Sequence, residues 1–153
     1  MRTRTEMSDA ASRRPIDILL VEDNPGDVRL MMETFREGKI ANRISVVEDG
    51  VEALDFLRKK GKHSAAPRPD LILLDLSLPR KNGQEVLAEI KQDAELKRIP
   101  VCVITSSAAE KDIIQAYDNY VNCYLTKPVN LEQFIGVVRS VEDFWLSIVK
   151  LPP

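Results

Sequence analysis

The sequence predicts an α/β fold, a doubly wound parallel sheet with helices on both faces. Along its 153 residues, five short apolar runs alternate strictly with five helix-period segments. Right-handed crossovers fold that arrangement into a parallel sheet. The runs before Asp75 and before Thr105 are apolar throughout, as strands buried on both faces are. Four of the helical segments open on a capping-box pattern, and the first has a weaker Asn-x-x-Asp version. A box satisfies two backbone donors at once and so marks a helix start well.

Residues 1–14 are polar, rich in Ser, Thr and Arg, and are expected to form a disordered leader before one domain over 15–153. Ile16 to Val21 reads as the first strand and runs into Glu22-Asp23. A helix follows at once, with Asn24 as N-cap, Pro25 at the first helical position and Asp27 three residues after the cap. Val28, Met31, Met32 and Phe35 give it an apolar face, and Gly38 ends it. Arg43 to Glu48 alternates like a strand near a sheet edge, and Asp49-Gly-Val-Glu52 opens a helix with Ala53, Leu54 and Leu57 inward.

Gly61 to Pro69 is a polar loop holding the single histidine, His63. The third strand starts at Leu71 and ends on Asp75. Pro79 to Gly83 reads as a turn, and Asn82-Gly-Gln-Glu85 starts a helix facing inward through Val86, Leu87 and Ile90. Pro100 to Thr105 is the fourth strand, Ser107-Ala-Ala-Glu110 the next helix start, and Asn122 to Thr126 the fifth strand. After Lys127-Pro128, Asn130-Leu-Glu-Gln133 opens a last helix running to about Lys150. For this size the flavodoxin-like strand order 2-1-3-4-5 is expected.

Sheets of this kind bind ligands at the carboxyl ends of their strands. Glu22, Asp23, Asp75, Thr105 and Lys127 all stand there. Taken singly, the acidic pair reads as loop and cap residues, Asp75 as a turn former, Thr105 as a strand end and Lys127 as a solvated charge. Their coincidence at one edge points further. Three crowded carboxylates raise each other's pKa unless a cation sits among them, and an all-oxygen set at an open crevice suits Mg²⁺. A carboxylate can attack a phosphoryl group to form an acyl phosphate, and a metal with a lysine supplies the charge neutralisation that phosphoryl transfer needs.

The remaining features are quieter. Cys102 and Cys123 lack a CxxC spacing and read as small core residues of a reduced compartment. No run reaches membrane-span length and no signal peptide is evident, so the protein is expected in the cytoplasm, away from membranes. The formal net charge of −2 argues against DNA binding through a basic surface.

Val-Glu22-Asp23-Asn, Leu-Leu-Asp75-Leu-x-Leu-Pro79-x-x-Asn-Gly83, Val-Ile-Thr105-Ser-Ser and Tyr124-Leu-Thr-Lys127-Pro128 resemble the receiver domains of two-component response regulators. The likeness runs from Ile16 to the last helix. It implies Asp75 as phosphoacceptor for a sensor histidine kinase, and Mg²⁺ held by Glu22, Asp23, Asp75 and the Ser77 backbone carbonyl. It also implies a cis Lys127-Pro128 peptide, Lys127 paired with the phosphoryl group, and Thr105 with Tyr124 as a switch pair. Ser77 and Ser107 stand where side chains tune dephosphorylation. Glu22 departs from the commoner Asp, and its longer carboxylate still reaches a metal directly or through water.

Glu-Asp-Asn-Pro-Gly-Asp-Val-Arg29-Leu, Val121-Asn-Cys-Tyr and Glu142-Asp-Phe-Trp145-Leu are similar to the small receivers paired with bacterial phytochromes, which implies a phytochrome-class kinase. Such a protein is a phosphorylatable signalling partner, not an enzyme. Ending at Pro153, the chain is expected to lack an output domain and to act on a downstream protein or by dimerising. Leu131, Phe134, Ile135, Val138 and Val141 suffice to cover the sheet, so Val137, Phe144, Trp145, Ile148 and Val149 make the last helix apolar over too much of its circumference for one partner. A homodimer through that helix is expected, with Phe144, Trp145 and Ile148 in its interface. A module of the same fold without phosphoryl chemistry is disfavoured by the five retained polar positions. A flavin-binding role is disfavoured by the acidic loop after the first strand, which repels phosphate.

Overall fold

A computed structural model describes residues 15–38, 41–130 and 132–140. Its elements are β1 (Ile16–Val21), α1 (Pro25–Glu37), β2 (Asn42–Val47), α2 (Gly50–Leu57), β3 (Leu71–Leu74), α3 (Gly83–Gln92), β4 (Val101–Thr105), α4 (Glu110–Asp118) and β5 (Cys123–Thr126). A further helix, α5, spans 132–140. The strands form one sheet in the order β2-β1-β3-β4-β5, all pairs parallel. The doubly wound expectation holds in class and in strand order.

Alternation along each strand divides the core in two. Leu19, Val21, Ile72, Leu74, Val101 and Val103 face one layer with the buried residues of α2 and α3 and Ala116 of α4. Ile18, Leu20, Leu71, Leu73, Cys102 and Ile104 face the other, packed with Met31 and Phe35 of α1 and Phe134 and Val138 of α5. There Phe35 and Phe134 meet edge to face, with ring centroids 4.9 Å apart and an 84° interplanar angle, a favoured aromatic geometry. β3 is buried along its whole length, while the edge strand β2 is mostly half-buried. Site residues at the end of β3 therefore stand on the most enclosed part of the sheet.

Local cap chemistry sets most helix starts. Asn24 accepts from the Asp27 N–H, Asp49 from Glu52 and Asn82 from Glu85. Asn130 does the same for Gln133 at 3.0 Å. Ser107 breaks the pattern: α4 begins at Glu110 after Ala109, without a side-chain cap. The Ser107 hydroxyl instead bonds the Asp112 carboxylate and accepts from the Ala109 N–H. β5 starts one residue late because Asn122 is spent on β4. Its N–H donates to the Val101 carbonyl and its amide oxygen accepts from Val101 N–H. Met32 is exposed, unlike Met31 and Phe35 on the same helix. Val137, expected as surplus apolar surface, packs partly against the core. The leader and the positions Val141, Phe144, Trp145, Ile148 and Val149 lie outside the described residues.

Candidate functional site

The parallel ladder carries on past the strand ends and fixes the polar residues there. Glu22 N–H donates to the Val47 carbonyl at 3.0 Å, Asp75 N–H to Val21 at 3.1 Å and Lys127 N–H to Thr105 at 2.8 Å. Each backbone is thus tied to the neighbouring strand, so the side chains converge from rigid supports. Glu22, Asp75 and Thr105 are buried, Lys127 is half-buried and Asp23 is exposed.

Glu22, Asp23 and Asp75 each present a carboxylate oxygen, and these atoms lie within 4.8 Å of one another. Lys127 Nζ answers them, donating to Asp75 Oδ2 at 3.0 Å, to Asp27 Oδ2 at 2.7 Å and to Glu22 Oε1. The other Asp75 oxygen accepts the Ser77 N–H at 3.1 Å. The four sequence-predicted groups Glu22, Asp23, Asp75 and Lys127 are thereby brought together. Asp27 is an addition. Its place in the first turn of α1 reads as cap chemistry, yet its carboxylate reaches a lysine 100 positions away. Only the apposition of α1 and the β5–α5 connection makes that partner visible. Glu22, Asp27, Asp75 and Lys127 line a cavity of about 460 Å³ that is otherwise walled by Leu30, Met31 and Val129 among others.

The charges separate the carboxylates into two roles. Burial pushes Glu22 up to about 7, helped by the neighbouring Asp75 and opposed by Lys127. Burial also opposes ionisation of Asp75, but the Ser77 N–H, Glu22 and Lys127 outweigh it, and its pKa falls below the ordinary carboxylate value. Lys127, despite its own burial, is held well above an ordinary lysine by Asp27, Glu22 and Asp75. Asp75 is therefore the more acidic carboxylate of the pair, and Glu22 the one that takes up a proton as pH falls through about 7. The donor set is hard oxygen throughout and in excess of the one lysine, which suits a divalent hard cation.

The turn from Pro79 to Gly83 does more than connect. Gly83 N–H donates to the Leu76 carbonyl at 2.9 Å, and a Cβ there would stand 2.4 Å from the Asp75 carbonyl oxygen. Arg80, at φ 63°, pairs with both Asp49 oxygens at 2.8 and 2.9 Å. The glycine seats the start of α3 directly behind the Asp75 peptide, which no side chain at that position would permit. On the other side, Tyr124 OH donates to the Ser107 carbonyl at 2.8 Å, and the Thr105 hydroxyl faces the same loop through a long 3.5 Å contact from the Ser107 N–H. Lys127-Pro128 is cis, as expected.

Fold and site together define a class, a doubly wound α/β domain with an acidic cluster bonded to one lysine around the end of its central strand. The chain belongs to the response regulator receiver domain family, whose model matches residues 18–139. It is 50% identical over 146 residues to the response regulator Rcp1 of Synechocystis sp., covering 95% of this chain and 99% of that one. It is likewise similar to the phosphorylated cyanobacterial phytochrome response regulator RcpA, at TM-score 0.75 and 50% identity over 92% of this chain and all of that one. The Mn²⁺-bound form of Rcp1 matches at TM-score 0.73 and 50% identity, covering 91% of this chain and 100% of its own. The chain is thus a two-component signalling receiver related to phytochrome response regulators, and receivers bind a divalent metal. Among the described residues no helix is long and apolar enough to cross a membrane.

Proposed function

We propose that Asp75 accepts a phosphoryl group from a sensor histidine kinase. The observation that carries this is the Asp75 carboxylate itself, buried, with one oxygen on Lys127 and the other on the Ser77 N–H. Those contacts hold the nucleophile at the mouth of the acidic cluster of Glu22, Asp23 and Asp75. Glu22, Asp23, Asp75 and the Ser77 backbone carbonyl would hold Mg²⁺, which would supply charge neutralisation for the phosphoryl oxygens.

An Asp75 oxygen attacks phosphorus, and the bond to the donor nitrogen breaks as the acyl phosphate forms. Lys127 then pairs with a phosphoryl oxygen in place of a carboxylate oxygen. The Thr105 hydroxyl turns to donate to another phosphoryl oxygen, and Tyr124 leaves the Ser107 carbonyl for the space beside it. Added charge at Asp75 is the differential interaction that shifts this equilibrium. The kinase is of the phytochrome class, a reading supported by the 50% identity to a cyanobacterial phytochrome response regulator. Output passes to a downstream protein or through a homodimer built on the last helix, with Phe144, Trp145 and Ile148 at its interface. The protein works in the cytoplasm and binds no DNA itself.

Incubation with acetyl phosphate and Mg²⁺, followed by intact-mass measurement, tests the reading. One added phosphoryl group is expected in the wild type and none in Asp75→Asn. An unchanged mass, or a gain that survives the substitution, refutes it. Light scattering of the same samples tests the dimer, which a single-chain mass in both states would exclude.

A further inference from the structure

We propose that Cys102 and Cys123 are an oxidisable thiol pair that peroxide closes into an intrachain disulfide between β4 and β5. The two residues are direct partners in the parallel register, so their side chains leave the sheet on the same face. Both are free thiols, and both enter the apolar layer that α1 and α5 cover, beside Phe134 and Val138. Neighbouring strands lie about 4.8 Å apart, within the Cα separation of about 4.4–6.8 Å that a disulfide spans. The register therefore sets the two cysteine Cα atoms within the span that a disulfide bridges.

The pair is asymmetric in the way such chemistry requires. Cys102 is 1% exposed, whereas Cys123 is half-buried and reachable from solvent. Contact with Cys102 and the Tyr124 N–H lowers Cys123 to about 7 against the effect of burial, while Cys102 is pushed up. Thiolate is the reacting form, so Cys123 attacks first. Its sulfur bonds one peroxide oxygen, the O–O bond breaks, and hydroxide leaves to be protonated to water. Cys102 sulfur then attacks Cys123 sulfur; the S–O bond breaks, and hydroxide takes the Cys102 proton as a second water. Two thiols and one hydrogen peroxide become one disulfide and two waters, and a dithiol reductant reverses the step. The link would clamp the two strands that carry Thr105 and Tyr124, one residue from Tyr124.

The test uses the full chain, reduced, desalted and treated with hydrogen peroxide. The wild type is expected to stay a single chain, to lose two hydrogens in mass and both reactive thiols, and to yield a Cys102–Cys123 linked peptide. Cys102→Ala is expected instead to gain oxygen at Cys123, and Cys102→Val, which fills the same core space, gives the same readout if the alanine variant folds poorly. Oxygen uptake at Cys123 in the wild type without ring closure overturns the proposal. So do chain-to-chain crosslinks alone, or two intact thiols at peroxide levels that oxidise Cys123 in the variants.

Discussion

At the amino end of the sheet, Asp17 and Asp70 are 6% and 5% exposed; at the carboxyl end, Glu22 and Asp75 are 4% and 7%. Equal burial has opposite consequences. Asp17 takes both prongs of Arg43 at 2.9 and 3.0 Å, and Asp70 accepts the Asp17 N–H at 2.8 Å while its own N–H reaches the Asp17 carbonyl at 2.7 Å. Each carboxylate there has partners of its own, as a buried charge must to be tolerated. At the other end Glu22, Asp27 and Asp75 share a single lysine, and Glu22 is driven up to about 7. One end gives each carboxylate its own donor and ties β1 to β2 and β3. The other leaves three carboxylates on one lysine, an excess of negative charge that a divalent cation would relieve.

The contrast can be broken at either end. Lys127→Ala removes the shared partner, and loss of one side of a buried charge cluster costs about 3 kcal/mol. Urea denaturation without metal should show that loss, and Mg²⁺ or mild acid should restore part of it. Gly83→Ala should cost about 2 kcal/mol and slow phosphoryl uptake, because the new Cβ meets the Asp75 carbonyl at 2.4 Å. Normal uptake in a folded Gly83→Ala protein would separate the turn from the site.

The pH dependence follows from Glu22, raised from 4.5 to about 7 in the folded metal-free protein. Its proton favours that state fully below pH 4.5, and the contribution is lost as pH rises through about 7. Mg²⁺ must displace the proton, so its affinity should climb about tenfold, or about 1.4 kcal/mol, per pH unit until Glu22 is ionised, then level. Calorimetry with proton counting reads this directly; a profile flat on both sides of neutrality would remove Glu22 from the metal set. The smallest effect is at the amino end. Asp17→Asn should cost about 1 kcal/mol, since Arg43 is largely exposed and returns to water, and phosphoryl uptake should not change. A fall in uptake would mean that the two ends are coupled.

What could be read from the sequence was what neighbours in the chain decide. Asn24, Asp49, Asn82 and Asn130 cap as their spacing demands, because donor and acceptor are three residues apart. Ser107 fails for a local reason of the same kind: Asp112 competes for its hydroxyl and the helix starts later. Asp17, embedded in an apolar strand, gave no sign of its partners, which lie 26 and 53 positions away. Asp27 and Gly83 were hidden likewise, as a cap residue and a turn residue, since their work depends on which loops the sheet order brings together. Asp75, Lys127 and the acidic pair were legible because strand ends in such sheets share one edge.

The proposed chemistry rests on one carboxylate, that of Asp75. Borohydride reduction of the protein after acetyl phosphate treatment converts an aspartyl phosphate to homoserine, which peptide sequencing by mass spectrometry locates. Homoserine at position 75 alone is the expected result. Trapping at Glu22, Asp23 or Asp27, or no trapping beside a demonstrable phosphoryl gain, would contradict it.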